Sequence, residues 1–289
     1  MESRLGFEWI AFERFGCLHH AERNDEFSLK MEQIALITGA SSGLGEEFAR
    51  QLARRGGTLV LVARRLDNLE SLRTELKAQY PDLVVYCVQA DLARDDEVER
   101  LSHWIHDMGL EVTLLVNNAG LGDHGTFEES DWQRVQSMIN VNVSALTRLM
   151  LLNIPGMKKR GRGAILNVSS VAGMLPLTKM SVYAATKAYV SSLSEAVRAE
   201  LRGTGVTVTA LCPGPVETEF GEVAGRKDSL DRLDAPAFFK LSKQRVVREA
   251  LDGVDRDRPR VIPGYLVAAI MIVLSSLPLL FIRMILARR

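Results

Sequence analysis

Gln33-Ile34-Ala35-Leu36-Ile37-Thr38-Gly39-Ala40-Ser41-Ser42-Gly43-Leu44-Gly45 is the stretch that decides the fold of this chain. An apolar run ends at Thr38, a glycine-rich turn follows, and helical spacing of apolar residues begins at Leu44. A strand running through such a turn into a helix gathers backbone N–H groups and a positive helix end at one point. That arrangement suits a pyrophosphate. Gly39, Ser41, Ser42, Gly43, Leu44 and Gly45 are therefore read as cofactor contacts. The spacing is not G-x-G-x-x-G, and the Gly-Lys-Ser/Thr ending of a nucleotide-hydrolase loop is missing. Nucleotide hydrolysis is the reading this argues against most strongly.

From that point outward, apolar runs alternate with helical patterns. The strands read are Gln33–Thr38, Thr58–Ala63, Leu83–Gln89, Val112–Val116, Ala164–Ser169, Val206–Cys212 and Arg260–Pro263. They are apolar nearly throughout, as strands covered on both faces are. Helical stretches such as Leu44–Arg55, Leu66–Tyr80 and Ser181–Arg202 lie between them. The expected fold is α/β: a single Rossmann-type doubly wound domain over residues 31–263, its seven-stranded parallel sheet flanked by helices. Residues 1–30 precede it, either as an appendage or as an over-extended translation start before Met31. A hydrophobic tail, 264–289, follows it.

Composition narrows the partners. Lys and Arg number 36 and Asp and Glu 36, so the net charge of zero offers no electrostatic case for nucleic acid. Cys17, Cys87 and Cys212 are widely spaced. The last two sit in apolar runs and read as reduced core thiols of a cytoplasmic protein. His19-His20 and His103-x-x-His106 have no ligand cluster around them, so no metal is expected. Charges at Glu2, Arg4, Glu8, Glu13 and Arg14 leave no apolar core for a secretory signal.

Tyr183 and Lys187 stand four residues apart in a helical stretch, hence on one face of one turn. A free phenol titrates near about pH 10, and a neighbouring cation favours its ionised form. Ser170, at the end of the fifth strand, can hydrogen-bond what the tyrosine acts on. At the end of the second strand, about 20 residues past the glycine turn, an acid would hold the free ribose hydroxyl of NAD. Ala63-Arg64-Arg65 stands there instead, and arginine can hold a 2′-phosphate. Arg64 is the residue assigned, and NADP(H) is expected in preference to NAD(H).

Together these residues resemble the short-chain dehydrogenase/reductase superfamily, in its Tyr-x-x-x-Lys branch, from Met31 to about Gly264. The glycine motif is Thr38–Gly45, Asn-Asn-Ala-Gly is Asn117–Gly120, and Pro-Gly followed by threonine is Pro213–Thr218. The resemblance implies hydride transfer between a nicotinamide and a carbonyl or alcohol. It makes Tyr183 the general acid/base, with Lys187 lowering its pKa and binding the nicotinamide ribose. Ser170 would orient the substrate oxygen, and Asn142 would hold a proton-relay water, with Asn140 its competitor for that role. It adds Asp91 and Leu92 at the adenine, Asn118 beside the turn, Pro213 and Gly214 as further cofactor contacts, and Val216 and Thr218 at the carboxamide. Relatives commonly pair through the helices carrying Asn142 and Tyr183, so a homodimer or homotetramer is expected.

Substrate is less legible. The lid of this family falls at roughly residues 217–243, where Phe220, Val223, Phe238 and Phe239 stand. With Leu121, Met174, Leu175 and Pro176, they suit either a hydrophobic carbonyl substrate or plain packing of the lid. His124 either points into the cleft or is a solvated loop residue. From Gly264 to Ile282, 19 residues carry no charge and arginines flank the run. In a helix that length spans roughly 30 Å, one hydrocarbon core, although Pro278 would kink or end it. A span, a helix lying on the membrane and an oligomer contact all remain open. Membrane contact through 264–289 would suggest a 3-oxoacyl, sphingoid or steroid-type ketone. A catalytically silent NADP(H)-binding sensor on the same fold is the alternative from another class.

Overall fold

The computed structural model describes residues 33–216 and 240–276. Strand and helix alternate through both parts. The strands are β1 (Ile34–Thr38), β2 (Thr58–Ala63), β3 (Val84–Gln89), β4 (Leu114–Asn117), β5 (Gly163–Val168), β6 (Val206–Leu211) and β7 (Arg260–Val261). The helices are α1 (Gly43–Ala53), α2 (Leu66–Gln79), α3 (Asp95–Asp107), α4 (Trp132–Ile139), α5 (Leu146–Arg160), α6 (Ser181–Glu200), α7 (Lys243–Asp255) and α8 (Tyr265–Ser276). The seven strands form one sheet in the order β3-β2-β1-β4-β5-β6-β7, and every pairing is parallel. The order reverses between β1 and β4, and in a doubly wound sheet ligands bind at the strand ends beside that reversal.

The two faces of the sheet read directly from strand periodicity. Ala35, Ile37, Leu59, Leu61, Val116 and Leu166 face one way, into a core completed by Phe48 and Leu52 of α1 and Val246, Val247 and Leu251 of α7. Ile34, Leu36, Val60, Val62, Leu115 and Ile165 face the other, against Leu101 of α3, Leu149 of α5 and Val190 of α6. Both faces are covered, which is why the strands carry so little polar alternation.

Several strand limits differ from expectation by one or two residues, most informatively in β4 and β7. β4 begins at Leu114 rather than Val112, because Thr113 closes the base of β1 instead: its hydroxyl accepts from Ile34 N at 3.0 Å and its N–H donates to Ile34 O at 2.9 Å. β4 also continues one residue further, to Asn117, which is in register with Asn167 of β5. β7 stops at Val261, two residues short, since Pro263 has no N–H to give to a ladder.

Between α4 and α5 the helix widens into a π-helical turn, Asn140–Ala145. Such turns are rare and displace side chains from the regular α positions. This one carries Asn142 into the protein, where it is 1% exposed.

Candidate active site

The glycine turn is locked to the end of β4. Thr38 Oγ1 accepts from the N–H groups of Asn118 and Ala119, each at 3.0 Å. Asn118 Nδ2 donates in return to Thr38 O at 2.9 Å and Gly39 O at 3.2 Å. A Cβ at Gly45 would lie 2.2 Å from Gly39 O and 2.5 Å from Asn118 Nδ2, so only glycine lets helix, turn and strand end close together here. Gly39 and Gly43 also hold left-handed φ angles, 66° and 61°. Ser42, at the N-cap of α1, makes no side-chain capping bond. The first-turn N–H groups of α1 are thus left without a side-chain cap, and helix starts of this kind bind phosphate.

At the tip of β2 both Arg64 and Arg65 are exposed. Arg65 is the one directed at the turn, with Nε 3.4 Å from Ser41 Oγ. Asn68 Nδ2 joins it by donating to Ser41 O at 3.2 Å. Arg64 is anchored through its carbonyl, which accepts from Gln89 at 2.9 Å. Asp91 turns its carboxylate back on its own loop, accepting from Ala93 N at 3.1 Å, while Leu92 is buried.

The tyrosine face of α6 is buried at Tyr183, Ala184, Lys187, Val190, Ser191 and Ser194, the stripe expected of a helix lying on a sheet. The 3₁₀ turn Val171–Met174 lies directly against it. A Cβ at Gly173 would fall 2.5 Å from the carbonyl carbon of Lys187, so glycine there permits backbone-to-backbone contact. That contact brings Ser170, which caps the turn by accepting from Ala172 N at 3.1 Å, into a hydrogen bond with the Tyr183 hydroxyl. Lys187 lies behind the pair: Nζ donates to Val168 O at 2.8 Å and sits 5.8 Å from the centre of the Tyr183 ring.

Asn142 ties the third wall in place. Its Oδ1 accepts from Leu121 N at 2.8 Å, and its Nδ2 donates to Leu121 O at 2.9 Å and Thr186 Oγ1 at 3.0 Å. A Cβ at Gly120 would lie 3.3 Å from Lys187 Nζ and 3.4 Å from Asn142 Oδ1, so the amide and the ammonium border the same small space. Asn140 points elsewhere, donating to Ala93 O at 2.9 Å. Pro213 O accepts from Val171 N at 3.0 Å and Ser170 Oγ at 3.5 Å, which places the Pro213–Val216 segment beside Ser170.

Electrostatics here are set by burial. It pushes the Tyr183 hydroxyl up to about 12, and the Ser170 hydrogen bond only partly opposes it. It also pulls the Lys187 ammonium down to about 8. The expected depression of the tyrosine by the lysine is therefore not what the groups of this chain produce. Desolvation of the phenolate outweighs what its neighbours offer it, with Lys187 Nζ held against Val168 O at 2.8 Å.

The structure thus brings together Asn142 of the π-helical turn, Ser170 after β5, and Tyr183 and Lys187 of the first turns of α6. It sets the glycine turn, Asn118, Asp91, Leu92, Pro213, Gly214 and Val216 around the same edge of the sheet. Thr218 and the lid residues Phe220, Val223, Phe238 and Phe239 lie outside the described residues. Sequence reasoning passed over Arg65 and Thr186, although both adjoin residues it selected. Among the described residues no group of His, Cys, Asp or Glu could hold a metal ion, and no helix is long and apolar enough to cross a membrane.

Residues 33–228 match the family model described as short chain dehydrogenase. The chain is 30% identical over 253 residues to the very-long-chain 3-oxoacyl-CoA reductase of Homo sapiens, covering 84% of this chain and 75% of that one. A short-chain dehydrogenase from Sphingobium yanoikuyae, solved in complex with NADPH, superposes with a TM-score of 0.76 at 35% identity, over 84% of this chain and 92% of the other. A bulky-bulky ketone specific alcohol dehydrogenase from Comamonas testosteroni gives a TM-score of 0.70 at 30% identity, over 85% and 95%.

Proposed function

The chain belongs to the short-chain dehydrogenase family of oxidoreductases, and from that premise we propose that it reduces a hydrophobic ketone or aldehyde with NADPH. The observation that carries this reading is the hydrogen-bonded pair of half-buried Ser170 and buried Tyr183, with buried Lys187 behind it.

Tyr183 is the proton donor. A phenol whose pKa is held near 12 stays protonated throughout the neutral range, which suits a group that gives a proton to a carbonyl oxygen as it becomes an alcohol. Ser170 hydrogen-bonds the same oxygen and stabilises its developing charge. Lys187, with a pKa near 8, exchanges protons readily at neutral pH, and Asn142 beside it holds the water through which the proton is resupplied. Tyr183 and Lys187 would also contact the nucleotide.

The chain's residues fit a dinucleotide: a glycine cradle that a Cβ would fill, a helix start without a side-chain cap, and exposed arginines where an acid would favour NAD. When bound, that nucleotide supplies the hydride. Gly39, Ser41, Ser42, Gly43, Leu44 and Gly45 would hold its pyrophosphate, Arg64 and Arg65 the 2′-phosphate, and Asp91, Leu92 and Asn118 the adenosine side. Pro213, Gly214, Val216 and Thr218 would hold the carboxamide. NADPH in the Sphingobium yanoikuyae structure supports the same choice. The similarity to a very-long-chain 3-oxoacyl-CoA reductase supports a 3-oxoacyl substrate.

The test is NADPH and NADH oxidation by the purified chain against ketones, aldehydes and 3-oxoacyl thioesters of rising length. Turnover with NADPH that strengthens with chain length supports the reading. Nucleotide binding with no turnover would favour a silent sensor.

One observation favours membrane association as well. α8 is apolar on all sides: Val267 and Met271 face the domain, with Val267 against Gly214, while Leu266, Ile270, Ile272 and Val273 are exposed. A helix lying in the membrane interface beside the substrate cleft accounts for that face. Ile272→Glu with Val273→Glu should abolish flotation with phospholipid vesicles. If both proteins stay in the aqueous fraction, the helix is an oligomer contact instead, and light scattering of the same pair will show the mass fall.

A further inference from the structure

Resting on the reductase reading, we propose that His124 is a second anchor for the substrate, hydrogen-bonding an acceptor oxygen on the substrate other than the carbonyl that is reduced. The loop after β4 that carries it is fixed on both sides to the catalytic walls. Upstream, Leu121 is clamped through both backbone groups by the Asn142 side chain. Downstream, Gly125 N donates to Lys179 O at 2.8 Å, tying the loop to the segment that leads into α6. Asp123, between them, is buried and ion-paired with Arg134 at 3.0 Å, and Arg134 also donates to Gly122 O at 3.2 Å. Leu121 packs in the small cluster that contains Tyr183, with Met138, Ala172 and Met180. His124 thus stands on a braced loop three residues from a wall of the tyrosine pocket.

Its own state is unusual for so rigid a setting. The residue is 9% exposed, and its Nδ1 is enclosed without a hydrogen-bond partner. A polar atom buried this way is desolvated without compensation, so the position is not one that packing alone would fill with histidine. The cheaper way to bury Nδ1 unpartnered is as a bare lone pair, since orphaned N–H groups are the rarer kind. That leaves the ring proton on Nε2, which makes the imidazole a donor with a fixed tautomer. A donor of this kind recognises an acceptor oxygen: a thioester carbonyl, a carboxylate or a sulfonate meets that need, and an unfunctionalised alkyl ketone does not.

The experiment compares two probes in the full chain with NADPH: a 3-oxoacyl-CoA thioester and the unfunctionalised methyl ketone of equal chain length. His124→Phe fills the space without a donor, and His124→Gln restores one. His124→Phe should lower kcat/KM for the thioester ten- to a hundredfold, chiefly through KM, and leave the methyl ketone within threefold. His124→Gln should recover most of the loss. A His124→Phe protein that loses activity equally on both probes, or on neither, overturns the assignment. Wild-type protein that oxidises NADPH with neither probe removes the reductase reading, and this inference falls with it.

Discussion

Lys187 should destabilise the fold that it serves. The side chain is 4% exposed, and burial brings its pKa from an ordinary 10.5 to about 8. Because the folded value lies below the unfolded one, the charged form is the disfavoured form. Below pH 8 both states keep the proton, and the folded state bears the whole cost of the buried ammonium. Between pH 8 and 10.5 the folded state loses its proton first, the unfolded state holds more, and stability rises with pH. Above 10.5 the cost is gone. At about 1.4 kcal/mol per pH unit, the displacement corresponds to roughly 3 kcal/mol at neutral pH. Lys187→Met keeps much of the volume, removes the charge, and leaves Val168 O without the Nζ donor at 2.8 Å, a loss of about 1–2 kcal/mol. The variant should therefore be more stable than wild type by about 1–2 kcal/mol at pH 7, while reductase activity disappears. Urea unfolding without nucleotide, from pH 6.5 to 10.5, measures the difference. The advantage should shrink as pH rises and vanish or reverse by pH 10.5. A variant less stable than wild type at pH 7, with a pH-independent gap, would mean that the buried ammonium does not destabilise the fold.

Further outcomes follow from the same geometry. Arg65→Glu combined with Arg64→Glu should raise the Kd for NADPH ten- to a hundredfold and leave that for NADH within threefold, read by nucleotide fluorescence titration. Asn142→Leu removes three hydrogen bonds and leaves both backbone groups of Leu121 without their side-chain partner, so it should cost about 2–4 kcal/mol in urea unfolding. Gly173→Ala would drive a methyl to 2.5 Å from the Lys187 backbone, separating Ser170 from Tyr183. Its kcat should fall at least tenfold while NADPH affinity, which the glycine turn governs, changes little.

Much of this was legible in the sequence because parallel strands buried on both faces leave an unbroken apolar signature, as in Ile34–Ile37 and Leu59–Ala63. The Tyr183–Lys187 spacing was equally plain, since i and i+4 always share a helix face. Asn142 could be preferred over Asn140, but the π-helical turn that aims it inward has no residue signature; it depends on how carbonyls pair over six residues. Arg64 was assigned, whereas it is Arg65 that lies against Ser41, because which guanidinium reaches the turn is fixed by the direction in which β2 passes into α2. The direction of the tyrosine's pKa was misjudged for a related reason. A lysine four residues away argues for a lowered value, while burial, which sequence spacing does not express, acts on both groups and dominates.

Proton donation by Tyr183 is measured most directly with Tyr183→Phe. The substitution removes one oxygen from a ring that is 7% exposed and leaves the glycine turn untouched. NADPH should bind the variant within threefold of wild type, while ketone-dependent NADPH oxidation falls by at least a thousandfold. A Tyr183→Phe protein that keeps a tenth or more of wild-type turnover would contradict the assignment of the proton donor.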